Sequence, residues 1–187
     1  ITEDFACLRS IINCNIYTTA DAGTARRLAK KLLKNPELSY IRFDRHDQPE
    51  LEVTNFVNDL DYRIMDNLVT EDKVVVIGSG KMSHIIKQAH NEAHGKLFGV
   101  DLIQAKPFPK TLLNIIRASK GVIVIDEQTP SGSLGAAVME ACADNDIMKK
   151  IKTITIPEMY VYENGGREYL LNKLGLNKDN ILKTLND

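Results

Sequence analysis

Residues 74–83 read Val74-Val75-Val76-Ile77-Gly78-Ser79-Gly80-Lys81-Met82-Ser83, and the order of these residues decides the fold. Four consecutive β-branched apolar residues suit a strand buried on both faces, as in a parallel sheet covered by helices on either side. The glycine pair then makes a turn, and a helix is predicted from Met82 to Ala93. The same rhythm recurs downstream: a strand over 97–103, a helix over 110–119, a strand over 121–125, a helix over 134–143 and a strand over 152–156 ended by Pro157. Two helices, 167–174 and 178–185, close the chain, with Gly175 just past the end of the first. Strands alternating with helices of this length specify βαβ units with right-handed crossovers. The expected fold class is therefore α/β, with a Rossmann-like three-layer domain and a mostly parallel sheet over 73–187.

Upstream the pattern is shorter. Asn15-Ile16-Tyr17-Thr18 favours a strand, and Asp21 is placed to cap a helix. Ala22, Ala25, Leu28, Ala29, Leu32 and Leu33 then recur at helical spacing until Asn35-Pro36. Arg26, Arg27, Lys30, Lys31 and Lys34 occupy the other face and read as solvated surface rather than a nucleic-acid stripe. Tyr40 to Phe43 alternate like a short strand. Residues 1–45 thus form an incomplete α/β segment, with too few strands to close a sheet. The stretch 46–72 is polar and acidic. It reads as a linker carrying at most a short strand or a turn of helix.

The 187 residues carry 24 cationic and 25 acidic side chains, a formal charge of −1, with 43% hydrophobic and 26% charged residues. These values exclude a disordered or collagen-like chain, and near-neutrality leaves no basic footprint for nucleic acid. No apolar run approaches the roughly 20 residues needed to span a bilayer, so no membrane partner is expected. Cys7, Cys14 and Cys142 form no CxxC pair, which excludes a zinc ribbon or thioredoxin-type site. Cys7 and Cys14 read as fillers of apolar gaps, and a reduced, cytoplasmic setting is expected. The opening residues lack a signal-peptide pattern, and Ile1 reads as an interior position of a longer protein.

Four motifs are candidates for chemistry. Gly78-Ser79-Gly80 between strand and helix resembles a phosphate-cradling turn, with Asp101 about 20 residues on as a ribose ligand; the plainer explanation, and the favoured one, is that the glycines permit a tight turn as in any α/β domain. His84, His90 and His94 lie near one another on the predicted helix but lack carboxylate or cysteine companions at metal-ligand spacing. Ser131-Gly132-Ser133-Leu134-Gly135, after Asp126-Glu127, reads as helix packing. Finally, Arg42-Phe43-Asp44-Arg45-His46-Asp47 ends a strand. Arg45 emerges where the chain leaves the sheet, so its fork of donors can meet an anion; a surface salt bridge to Asp44 or Asp47 is an equal alternative.

Taken together, these segments resemble the C-terminal part of the transketolase family of thiamine-diphosphate enzymes. ITEDFACLRSIINCNIYTTAD is similar to the closing half of the pyrimidine-binding domain, with Asp4, Arg9, Ile11 and Asn13 in place and Ile12 and Thr19 where prolines are usual. YIRFDRHDQPEL resembles the strand-ending arginine segment. VVVIGSGKMSHIIKQA, DLIQAKPFPKTLL, GVIVIDEQTPSGSLGAAVMEA and ENGGREYLLNKLGL follow the third domain in order and spacing.

The resemblance implies that Arg45 binds the phosphate of a sugar-phosphate substrate, with Arg42 a secondary candidate and Arg9 as readily structural. It implies that the glycine turn is not a cofactor site. No GDG-type motif occurs, and the family's activating glutamate and its histidine belong upstream. Thiamine diphosphate and Mg2+ are therefore expected in the full-length enzyme, and none on this chain. The implied partner is the missing N-terminal diphosphate-binding part, on the same polypeptide or on a partner subunit, within a homodimer. The implied reaction is transfer of a two-carbon ketol unit, with this chain inactive alone. Three alternatives stay open: a 1-deoxyxylulose-5-phosphate synthase, which condenses pyruvate with glyceraldehyde 3-phosphate; a non-catalytic dimerisation module; and a nicotinamide-binding domain.

Overall fold

The computed structural model describes residues 2–53 and 55–187. Strands β1 (Asn15–Thr18) and β2 (Ser39–Arg42) flank helix α2 (Ala22–Lys34), with α1 (Asp4–Arg9) before them. Two short strands follow, β3 (Phe56–Val57) and β4 (Tyr62–Ile64). The regular part then runs β5 (Val74–Gly78), α3 (Lys81–Glu92), β6 (Leu97–Leu102), β7 (Gln104–Lys106), α4 (Lys110–Ala118), β8 (Gly121–Ile125), α5 (Leu134–Ala143), β9 (Ile151–Ile154), α6 (Arg167–Lys173) and α7 (Lys178–Asn186).

The larger sheet has the order β3-β4-β6-β5-β8-β9. Strands β6, β5, β8 and β9 are parallel, as the βαβ rhythm requires. The alternation of a strand sends successive side chains to opposite faces, and the core divides accordingly. Val75, Ile77, Val122 and Val124 pack under α4 and α5 through Leu112, Ile116, Leu134 and Val138. Val76, Ile123 and Ile125 face α3, α6 and α7 through Met82, Ile86, Leu171 and Ile181. These two apolar layers make the three-layer domain.

Two features depart from the sequence reading. The strand expected over 97–103 divides at Ile103, and β7 leaves the larger sheet to pair antiparallel with β1. The switch is held by backbone bonds: Thr18 N–H donates to Ile103 O at 2.8 Å, while the N–H groups of Ile103 and Gln104 both donate to Asp61 O. The first segment, too short to close a sheet, thereby gains a third strand from the downstream part (order β2-β1-β7). The second departure lies in the polar connection. β3 and β4 form a hairpin whose turn uses Asn58, Asp59 and Leu60 at positive φ, and β4 extends the larger sheet antiparallel to β6. Strands of two and three residues carry too little alternation to be read in advance.

The first segment also shares the core of the larger domain, because Phe5 and Ile16 are buried in the same cluster as Val75 and Leu112. Gly132, at φ +73°, explains part of that contact: a Cβ there would lie 2.5 Å from Ala6 Cβ, so α1 can approach only a glycine. Ser133 caps α5, its hydroxyl accepting from Ala136 N–H. Residues 131–135 thus serve packing, as expected.

Candidate functional site

The carboxyl ends of β1, β2, β5 and β8 point toward one side, where the two sheets leave a cleft of about 880 Å³. Its walls are the segment 40–46, the turn 79–81 that opens α3, Asp126-Glu127 after β8, and Gly166-Arg167 at the start of α6. Ligand sites of open α/β sheets sit at this edge, outside the carboxyl ends of the strands.

Arg42 is the last residue of β2 and Arg45 follows in the exit turn; both line the cleft. Arg42 is half-buried, with its Nε 3.7 Å from Asp4 Oδ2. The Tyr40 hydroxyl donates to the same oxygen at 2.6 Å. Burial works against ionisation of Asp4, but Tyr40 and Arg42 outweigh it and hold this carboxyl below the usual range. The same burial and hydrogen bond push the Tyr40 phenol up to about 12. Arg45, in contrast, is exposed and, among the described residues, makes no ion pair.

The salt bridge that the sequence allowed between Arg45 and Asp44 is not formed. Asp44 is taken instead by Arg167, whose Nη1 lies 2.7 and 2.6 Å from its two carboxylate oxygens. The other edge of the same guanidinium donates to Glu127, from Nε at 2.9 Å and from Nη2 at 2.5 Å. Asp44 is partly desolvated, yet Arg167 and the His46 N–H hold its carboxyl below the ordinary value. Lys81 pairs with the exposed Glu168 at 2.9 Å. Asp126 is fully buried beside the cleft, with Oδ2 accepting Leu134 N–H at 2.9 Å, and burial pushes it up to about 6. Four cations therefore line the cleft against four carboxylates, and Arg45 is the cation there without an ion pair among the described residues. Arg167 was visible only as part of ENGGREYLLNKLGL; nothing in its spacing pointed to Asp44, 123 residues upstream.

The remaining candidates separate. Asp101 is completely buried, bonded by Arg63 and by the Ser83 hydroxyl, so it cannot take a ribose. Gly78 serves packing: a Cβ there would lie 2.8 Å from Ile86 Cδ1 and 3.1 Å from Met82 Cβ. These two observations overturn the nicotinamide reading. His84 bonds Ala20 O, His90 faces Asp66 and His94 lies beyond the helix end. Cys14 and Cys142 are buried as gap fillers, whereas Cys7 is exposed on α1. Arg9 reaches Gly132 O and Glu140, a structural role between α1 and α5. Among the described residues no group of three or more His, Cys, Asp or Glu can hold a metal ion, and most of the cleft's carboxylates are already bonded to tyrosine or arginine. No described helix is long and apolar enough to cross a membrane.

The fold is an α/β domain with a cleft at the carboxyl ends of its strands, roofed by part of a second sheet. Residues 65–181 match the family model described as transketolase, C-terminal domain, and the chain belongs to that family. Among curated proteins, it is 27% identical over 190 residues to one subunit of the apulose-4-phosphate transketolase of Phocaeicola vulgatus, covering 97% of this chain and 58% of that protein. It is 20% identical to 1-deoxy-D-xylulose-5-phosphate synthase of Nitrosomonas europaea, covering 98% of this chain and 30% of that one. Among solved structures, a split-gene transketolase described as an inactive β4 tetramer superposes with a TM-score of 0.83 at 23% identity, over 99% of this chain and 60% of that one. The transketolase of Campylobacter jejuni gives 0.70 at 11% identity, over 98% and 28%. The chain thus spans less than two thirds of these relatives.

Proposed function

We propose that this chain is the C-terminal part of a cytoplasmic, thiamine-diphosphate-dependent transketolase that moves a two-carbon ketol unit between sugar phosphates, with Arg45 holding the substrate phosphate. The observation that carries this reading is the charge arrangement of the cleft, in which, among the described residues, Arg45 is left to meet an anion while the other cleft cations are paired. A phosphate dianion accepts two parallel bonds from a guanidinium, which fixes direction as well as distance. Arg42, held back by Asp4, is the secondary contact. The domain division at 1–45, 46–72 and 73–187 belongs to this proposal.

The cofactor and its Mg2+ are assigned to the missing amino-terminal part, on the same polypeptide or a partner subunit, within a homodimer. Thiamine diphosphate, once bound there, supplies the carbanion chemistry; this chain contributes the anchor and is inactive alone. The relative named as one subunit of a transketolase, of which the chain covers 58%, supports a two-chain arrangement. Relatives named 1-deoxy-D-xylulose-5-phosphate synthase favour a second reading, condensation of pyruvate with glyceraldehyde 3-phosphate.

Co-expression with the amino-terminal portion, followed by assay with xylulose 5-phosphate or pyruvate as donor, tests both. Turnover of xylulose 5-phosphate only by the combined preparation is expected. Use of pyruvate instead selects the second reading, and turnover by this chain alone overturns both.

A further inference from the structure

We propose that Arg167 is a positioning residue for the substrate phosphate: it engages the Asp44 carboxylate and so leaves the adjoining Arg45 free to take an anion. The inference rests on the reading of Arg45 given above. Asp44 and Arg45 are neighbours in one turn, so a charge-assisted bond between them is open to the sequence. Here that pairing is pre-empted. Both Asp44 oxygens lie within 2.7 Å of Arg167 Nη1, and the Asp44 side chain is only 8% exposed. Asp44 Oδ1 also accepts the His46 N–H at 3.1 Å, which closes the turn around Arg45.

The planar fork of arginine suits this task. One edge serves Asp44 after β2 and the other grips Glu127 after β8, so a single side chain on α6 ties together three walls of the cleft. A lysine offers one point charge and cannot serve both edges. Without Arg167, two unneutralised carboxylates would line the cleft. One of them would capture Arg45 and both would repel a phosphate dianion.

The test is titration of the intact chain with inorganic phosphate, followed by isothermal titration calorimetry and, in chains that keep Arg45, by NMR at its Nε–H signal, with near-ultraviolet circular dichroism to confirm the native fold. Saturable binding is expected for the wild type and its loss for Arg45→Ala. Arg167→Gln is expected to weaken binding about tenfold, and Arg167→Lys by less. The double variant Asp44→Asn/Arg167→Gln is expected to recover most of the loss, because asparagine keeps the acceptor for His46 N–H and drops the charge. A purely structural role for Arg167 predicts no such rescue. A folded Arg167→Gln chain that binds phosphate like the wild type, or a double variant no better than the single one, overturns the role of Arg167. Arg45→Ala that binds like the wild type, or a wild type that does not bind, overturns the reading of Arg45 and with it this inference. Should Arg167→Gln fail to fold, Asp44→Asn alone decides. Binding at least as tight as the wild type supports the proposal, and weaker binding overturns it.

Discussion

Nη1 of Arg63 lies 2.8 Å from Oδ2 of Asp21, with both side chains almost fully enclosed. Nε of the same arginine donates to Asp101 Oδ2 at 2.8 Å. Asp21 caps α2 through Thr24 N–H and also accepts Leu51 N–H, while Asp101 takes the Ser83 hydroxyl. One buried guanidinium therefore fastens the first segment to β4, β6 and α3.

Replacing Arg63 with methionine keeps much of the volume but leaves two buried carboxylates without a counter-charge. Removing one side of such a cluster costs about 3–5 kcal/mol. Urea unfolding of Arg63→Met should show that loss as a lower midpoint. A change under about 1 kcal/mol would mean that water already reaches the cluster.

Gly78→Ala should destabilise by about 1–3 kcal/mol, the usual range for overpacking a core. The added methyl would crowd Ile86, Met82 and Ile125 together, at 2.8, 3.1 and 3.2 Å, so α3 must move off the sheet. Thermal melting measures this, and an unchanged melting temperature would show that α3 is more loosely seated.

In the reconstituted enzyme, Arg45→Ala should raise KM for phosphorylated sugars, with a loss of about 1.5–3 kcal/mol for a hydrogen bond to a charged group. Non-phosphorylated analogues should be handled as before. Arg45→Lys should restore only part of the binding, because the charge returns without the fork. Equal KM values for phosphorylated sugars in wild type and Arg45→Ala would count against the anchor.

Asp126 gives a pH-dependent stability of the opposite sign to that of a salt-bridged carboxylate. Its folded value, about 6, lies above the ordinary 3.8, so the native state holds its proton more tightly than the unfolded chain. Stability from this group is full below 3.8 and falls as pH rises toward about 6, by roughly 3 kcal/mol in all. Asp126→Asn, which can still accept Leu134 N–H, should therefore stabilise the protein at neutral pH and change little near pH 4. Urea unfolding across that range checks this. A variant whose stability parallels that of the wild type at every pH would sink it.

Much of the fold could be read from the chain. The buried β-branched runs at 74–77 and 121–125, and helices with one apolar stripe, carry local periodicities that specify their elements without reference to anything distant. Asp21 was recognisable as a cap for the same reason, since its partner Thr24 is three residues away. The resemblance in order and spacing likewise pointed to Arg45 and Arg42, and both line the cleft.

What stayed hidden was long-range pairing. The departure of β7 toward β1, the hairpin of β3 and β4, and the buried cluster of Asp21, Arg63 and Asp101 join residues 38 or more positions apart, or strands too short for a pattern. The choice between Arg45 and Arg167 as the partner of Asp44 is of the same kind. Local chemistry allows the neighbour one residue away, and only the packing of α6 across the cleft brings in the competitor 123 positions distant. Periodicity is a property of adjacent residues, so the chain announces its strands and helices. Charge pairing depends on which of several acceptable partners the fold brings close, and that is settled only once the two sheets have come together.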